Sequence, residues 1–262
     1  MRALLLTLLL LATQPISAQE VQNADEITYE WLVHYAQKTG SIDHIPHFRK
    51  IFNQLPVKTL MEFGMGYGTK YFLDNCNKVI SVEFISPGYG PAWMKNMLEL
   101  YKESSNWIPI AYFTAYTEDI QWAPYKYMGS ESIHKACSYQ CSTKKNYALI
   151  DGFYLSELNS FMNALIKAHQ IKIVCINPVM YLRGDIVQLL FNKVPIIVAH
   201  DTLCRAQGEQ GDVYGYSRIM VPENYDEIYF PGGQGTTIWI SKNESYTELV
   251  KDLQVYAQGL KK

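Results

Sequence analysis

The densest chemistry in the chain is the run Glu62-Phe63-Gly64-Met65-Gly66-Tyr67-Gly68. An acid followed by glycines at alternate positions, between an apolar run and a helical one, lets backbone approach a ligand without Cβ atoms in the way. The helix that follows then presents unpaired N–H groups to a carboxylate or phosphate. Glu83 lies 21 positions after Glu62 and closes the next apolar run, where an acid can accept hydrogen bonds from a ribose diol. The alternative is a pair of solvated strand-end carboxylates. A dinucleotide site with G-x-G-x-x-G spacing would need glycine at position 69, which is Thr69, so a nicotinamide-dependent oxidoreductase is disfavoured.

A second constellation is His200-Asp201, at the end of Pro195-Ile196-Ile197-Val198-Ala199. A histidine there can take a proton from an acceptor hydroxyl near neutral pH, with Asp201 orienting it. The competing expectation is a strand-end histidine bonded to a neighbouring loop. Arg183-Gly184-Asp185 reads as a surface ion pair, with a position facing the cleft as the alternative.

These residues need elements to hold them. Thr59–Phe63, Val79–Phe84, Ile108–Phe113, Ile171–Ile176 and Pro195–Asp201 read as strands. Helical stripes fall between them at about 69–76, 91–104, 155–169 and 181–191. Such alternation predicts a parallel sheet. The segment 147–152 competes for the fourth place in it; 171–176 is preferred because one helix then separates it from the strand ending at His200. Glu227–Phe230 and Thr236–Ile240 flank Pro231-Gly232-Gly233-Gln234-Gly235 and read as an antiparallel pair ahead of a closing helix.

The glycine loop and the second-strand acid together resemble the class I S-adenosylmethionine-dependent methyltransferases over roughly residues 45–242. That resemblance implies an α/β, Rossmann-like doubly wound sheet, mostly parallel with a C-terminal antiparallel pair. It places Glu62, Gly64, Gly66 and Gly68 around the methionine part of the cofactor S-adenosyl-L-methionine and Glu83 on its ribose. Asp119 falls where the family often has an acid facing the adenine. His200 and Asp201 are the catalytic candidates, with a small-molecule or glycan-like hydroxyl compound as acceptor. Metal-using relatives carry an acid where the fourth strand here ends in Asn177, so no metal ligand is assigned.

The domain expectation is a signal peptide at 1–18, N-terminal helices at 19–57, and a methyltransferase-like domain at 58–262 with a Tyr-rich insertion or cap at about 114–146. The run Ala3–Ala12 is too short to span a bilayer and ends in a small-residue cleavage signal at Ile16-Ser17-Ala18, so an exported chain with no permanent membrane span is expected. Export permits disulfides, for which Cys137 and Cys141 are the better pair. A formal charge of -2 leaves no basic field for nucleic acid. An exported methyltransferase has no obvious supply of its cofactor, and the alternative is an exported, non-catalytic binding module of the same fold, using the Tyr-rich cap.

Overall fold

The computed structural model describes residues 21, 23–56, 59–85, 91–113, 126–128, 152–178, 182–207, 212 and 214–260. The leader, Asp119, Cys137, Cys141, the segment 147–151 and most of the insertion lie outside the described residues.

After a short 3-10 turn, helices α1 (Tyr29–Thr39) and α2 (Ile45–Gln54) precede β1 (Thr59–Phe63). Thr28 caps α1 by accepting the Trp31 N–H at 3.1 Å, and Gly40 ends it in the left-handed conformation. Then come α3 (Gly68–Asn75), β2 (Lys78–Ile85), α4 (Pro91–Leu100), β3 (Trp107–Phe113), β4 (Lys126–Met128), α5 (Gly152–His169), β5 (Ile173–Ile176), α6 (Arg183–Leu190) and β6 (Ile196–His200). A short α7 (Leu203–Gln207), β7 (Tyr225–Phe230), β8 (Thr236–Ser241) and α8 (Thr247–Gly259) close the chain.

The eight strands form one sheet in the order β4-β3-β2-β1-β5-β6-β8-β7. The first six are parallel; β8 runs antiparallel to both β6 and β7. The fourth-strand place beside β1 belongs to β5, as expected for 171–176, with Phe63 opposite Ile176. One feature of the insertion was not foreseen: residues 126–128 add β4 beside β3 at the sheet edge.

Side-chain alternation splits the core into two layers. Leu60, Val198, Ile238 and Ile240 face the layer packed by α1, α2, α3, α4 and α8. Met61, Phe63, Ile197 and Trp239 face the other, packed by α5 and α6. Because both faces of the central strands are covered, these strands read as continuous apolar runs. The uncovered end that remains for chemistry is the carboxyl edge, where β1, β2, β5 and β6 all terminate.

Candidate functional site: two carboxylate clusters on the carboxyl edge

At the end of β1 the chain must turn within one residue to pass β5. Gly64 does so at φ 86°, and a Cβ there would lie 2.4 Å from the Asn177 carbonyl oxygen. No other residue type fits both the conformation and the space. The loop is then tied to its surroundings. Glu62 Oε1 accepts from Thr69 Oγ1 at 2.7 Å and from Ser81 Oγ at 2.5 Å, while Thr69 Oγ1 accepts the Gly66 N–H at 2.9 Å. The Trp107 indole donates to Ser81 at 2.8 Å, so β3, β2, β1 and α3 share one hydrogen-bonded chain. On the outer side Trp93 Nε1 donates to Met65 O at 2.7 Å and the Tyr101 hydroxyl to Gly66 O at 2.9 Å.

Glu83 reaches the same loop from β2, its Oε2 accepting the Met65 N–H at 2.9 Å. Among the described residues Glu83 is hydrogen-bonded through Oε2 alone. Glu62 and Glu83 are 3% and 2% exposed, which removes the expectation of solvated strand-end carboxylates. Burial pushes Glu62 up to about 7, against the pull of the Ser81 and Thr69 hydroxyls. It pushes Glu83 up to about 8, against the Met65 N–H and helped by the neighbouring Glu62 charge. Neither carboxylate has a cationic partner among the described residues.

The end of β6 is built differently. The His200 ring lies between two carboxylates: Nε2 is 2.9 Å from Asp201 Oδ1, and Nδ1 is 2.6 Å from Asp43 Oδ1 in a short ionic contact rather than an aligned hydrogen bond. Arg183 Nη1 takes the other Asp201 oxygen at 2.6 Å, and its Nε donates to Pro178 O at 2.6 Å. The guanidinium stacks over Tyr214 at 3.9 Å, and the Tyr216 hydroxyl donates to His200 O at 2.8 Å. Asp201 itself adopts φ 59°, a strained setting for a non-glycine residue that these bonds hold in place. Burial works against a charged His200, but Asp201 and Asp43 outweigh it and raise the ring to about 9. Burial likewise opposes ionisation of Asp201, yet His200 and Arg183 hold it below the usual carboxylate range. Next to this network, burial lowers His44 well below the ordinary histidine value, with His200 and His47 adding to the effect, and lowers His47 to about 4.

No family model and no curated protein matches the chain. Among solved structures it is similar to a putative caffeoyl-CoA O-methyltransferase from Staphylococcus aureus, at 12% identity over 81% of this chain and 91% of that one, with a TM-score of 0.49. A methyltransferase-like protein from Silicibacter pomeroyi is similar at 10% identity over 82% and 96%, TM-score 0.40. The MycE methyltransferase of mycinamycin biosynthesis, solved with Mg and SAH, is similar at 10% identity over 85% and 56%, TM-score 0.39. At such identities the likeness concerns the fold alone. The sheet itself is a parallel series that switches direction at β1 and ends with β8 inserted antiparallel between β6 and β7. The chain has a Rossmann-like α/β fold, mostly parallel with a C-terminal antiparallel strand pair.

Within this fold, Glu62, Gly64, Gly66 and Gly68 lie in or beside one loop, Glu83 touches that loop, and Asp119 lies outside the described residues. His200 and Asp201 meet each other, but both ring nitrogens are engaged, and the partner on Nδ1 is the α1–α2 loop, as the competing expectation for this histidine had it. Arg183 is no surface residue: at 2% exposure it is buried against Asp201, because Asp201 and two backbone carbonyls supply the acceptors its guanidinium needs. Asp185 alone makes the surface pair, with Arg218 at 3.3 Å. Sequence reading missed Asp43, His44, Thr69, Ser81 and Trp107. Thr69 had a visible signal, a hydroxyl at the first turn after a glycine loop; Asp43 and His44 had none, since only folding brings them to β6.

Proposed function

We propose that this chain is an S-adenosylmethionine-dependent methyltransferase that methylates a hydroxyl group on a small or glycan-like acceptor. The observation that carries the reading is the contact between the Glu83 carboxylate and the Met65 amide, because it puts a buried acid, bonded through one oxygen among the described residues, beside a glycine loop on the carboxyl edge. The residues fit the cofactor. Gly64 and Gly66 keep loop backbone partly exposed, α3 begins at Gly68, and among the described residues the two carboxylates face no cationic side chain. In this reading Glu83 accepts the ribose hydroxyls, and Glu62 braces the loop around the methionine part through Thr69 and Ser81. Asp119 is proposed for the adenine on resemblance alone. Bound cofactor would supply an electrophilic methyl group to the acceptor oxygen, with S-adenosylhomocysteine as the leaving group and solvent water taking the hydroxyl proton.

His200 and Asp201 are proposed as the acceptor-side pair, at the end of β6. With both ring nitrogens engaged, the role assigned to them is to fix charge and geometry where the acceptor sits, rather than to take its proton directly. The leader is proposed as an export signal, so the working chain begins at Gln19.

The test is calorimetric titration of S-adenosylhomocysteine into the chain from Gln19. Binding is expected, weakened about 10- to 100-fold in Glu83→Ala, the size of a lost hydrogen bond to a charged group. An absence of heat, or equal affinity in the variant, would sink the proposal. The closed charge network around His200 favours one second reading, an exported module of this fold that binds ligand without transferring methyl groups. It predicts cofactor-product binding with no methyl transfer to any hydroxyl acceptor offered.

A further inference from the structure

The α1–α2 loop brings two residues to the end of β6 that the proposed methyl transfer does not use. Asp43 and His44 converge with His200, and one donor atom from each lies within 4.8 Å of the other two. The His44 and His200 rings are 5.2 Å apart between centroids. His44 is 2% exposed, packs against Phe48 and Phe72, and its Nδ1 is buried with no hydrogen-bond partner. Buried imidazole nitrogens are normally satisfied, so an unpartnered one on a ring that meets a carboxylate and a second imidazole calls for an explanation.

We propose that Asp43, His44 and His200 form a binding site for one divalent transition-metal ion of the zinc type. Two imidazoles and one carboxylate are a nitrogen-rich set that suits zinc or cobalt, whereas magnesium and calcium require oxygen ligands. The surroundings are those of a ligand sphere. His200 gives its other nitrogen to Asp201, which Arg183 holds in turn, the arrangement that fixes the tautomer and orientation of a metal-bound histidine. Asp43 is steadied by the Gln234 N–H at 3.2 Å and by Thr236 Oγ1 at 3.5 Å. A Cβ on Gly233 would come within 2.1 Å of Asp43 Oδ2, so that glycine makes the room for the carboxylate. Ligand atoms of a tetrahedral zinc ion sit about 3.3 Å apart given metal bonds near 2.0–2.1 Å. The 2.6 Å contact between Asp43 and His200 therefore opens by about 0.7 Å when the ion enters. The site joins the N-terminal helices to the sheet and leaves a fourth position for water or another oxygen ligand. It differs from the acids at the ends of the fourth and fifth strands that metal-using relatives employ: neither Asn177 nor Asp201 is a ligand.

The test is titration of Co²⁺ and then Zn²⁺ into chelator-treated chain, read by visible absorption, calorimetry and thermal melting. One Co²⁺ per chain is expected, with the intense d–d bands of a four-coordinate ion, bleached by Zn²⁺ and accompanied by a rise in Tm; Mg²⁺ should give none of these. Asp43→Asn and His44→Gln should each weaken binding by more than about 100-fold, beyond the cost of losing an outer-shell partner. Absent bands and an unmoved Tm, or wild-type affinity in either variant, would overturn the site and assign any bound metal to other groups. Should His44→Gln fail to fold by circular dichroism, Asp43→Asn decides alone, since its side chain lies at the rim of the cluster. Titration of S-adenosylhomocysteine into the same metal-free chain keeps the two proposals apart.

Discussion

Acids stand at two places along the same edge of one sheet, and Glu62 and Glu83 have the opposite electrostatic fate from Asp201. Glu62 and Glu83, at the β1 and β2 ends, are surrounded by neutral donors, and burial raises both. Asp201, at the β6 end, is part-buried at 19% side-chain exposure and lies between an imidazolium and a guanidinium, which hold it ionised. Burial alone thus does not decide the charge of a carboxylate; the partner does. The first cluster retains unused capacity to accept from a diol or meet a cation, whereas Asp201 has its charge met by His200 and Arg183. This contrast is the physical basis for reading the first as a cofactor seat and the second as a positioning element.

The contrast can be broken most severely at Arg183. Replacing it with Met leaves Asp201 beside His200 without its guanidinium partner and strands the Pro178 carbonyl. A loss of about 3–5 kcal/mol is expected by chemical denaturation. A loss below about 1 kcal/mol would mean that the network is not closed as described.

A pH series separates the clusters next. For Glu62 and Glu83 the folded-state values lie above the ordinary 4.5, so the native state binds more protons than the unfolded chain between those limits. Stability therefore falls as pH rises from about 4.5 towards 7 and 8, by at most about 1.4 kcal/mol per pH unit for each group. Glu83→Gln keeps an acceptor for Met65 without the titration, and should flatten the curve between pH 5 and 8. An identical slope in the variant would place the titrating group elsewhere.

The smallest expected change sharpens the role of the loop brace. Thr69→Val removes one donor from Glu62 and the acceptor of the Gly66 N–H while keeping the shape. It should cost about 1–3 kcal/mol of stability. Cofactor-product affinity should fall with it, because the loop loses its fixed conformation. Unchanged affinity at reduced stability would confine Thr69 to a structural role.

The sheet was largely legible from residue order, since buried parallel strands announce themselves as apolar runs and the glycine loop marks where the first of them turns. The single helix between 171–176 and the strand ending at His200 favoured 171–176 over its rival 147–152, and the Pro231–Gly235 turn signalled the antiparallel pair. The site was legible only in part. Glu62 and Glu83 could be named because their spacing follows the strand-to-strand repeat of the fold. Their protonation could not, because it depends on which donors surround them at depth. Arg183, set down as a surface charge, became the buried counter-ion of Asp201, and the Asp43-His44 pair acquired chemistry only beside His200, some 156 positions away. Local pattern determines which segments become strands and helices. Which charges meet at their ends is settled by long-range packing, and it is that meeting, with water excluded, that sets the strength of every electrostatic interaction in the site.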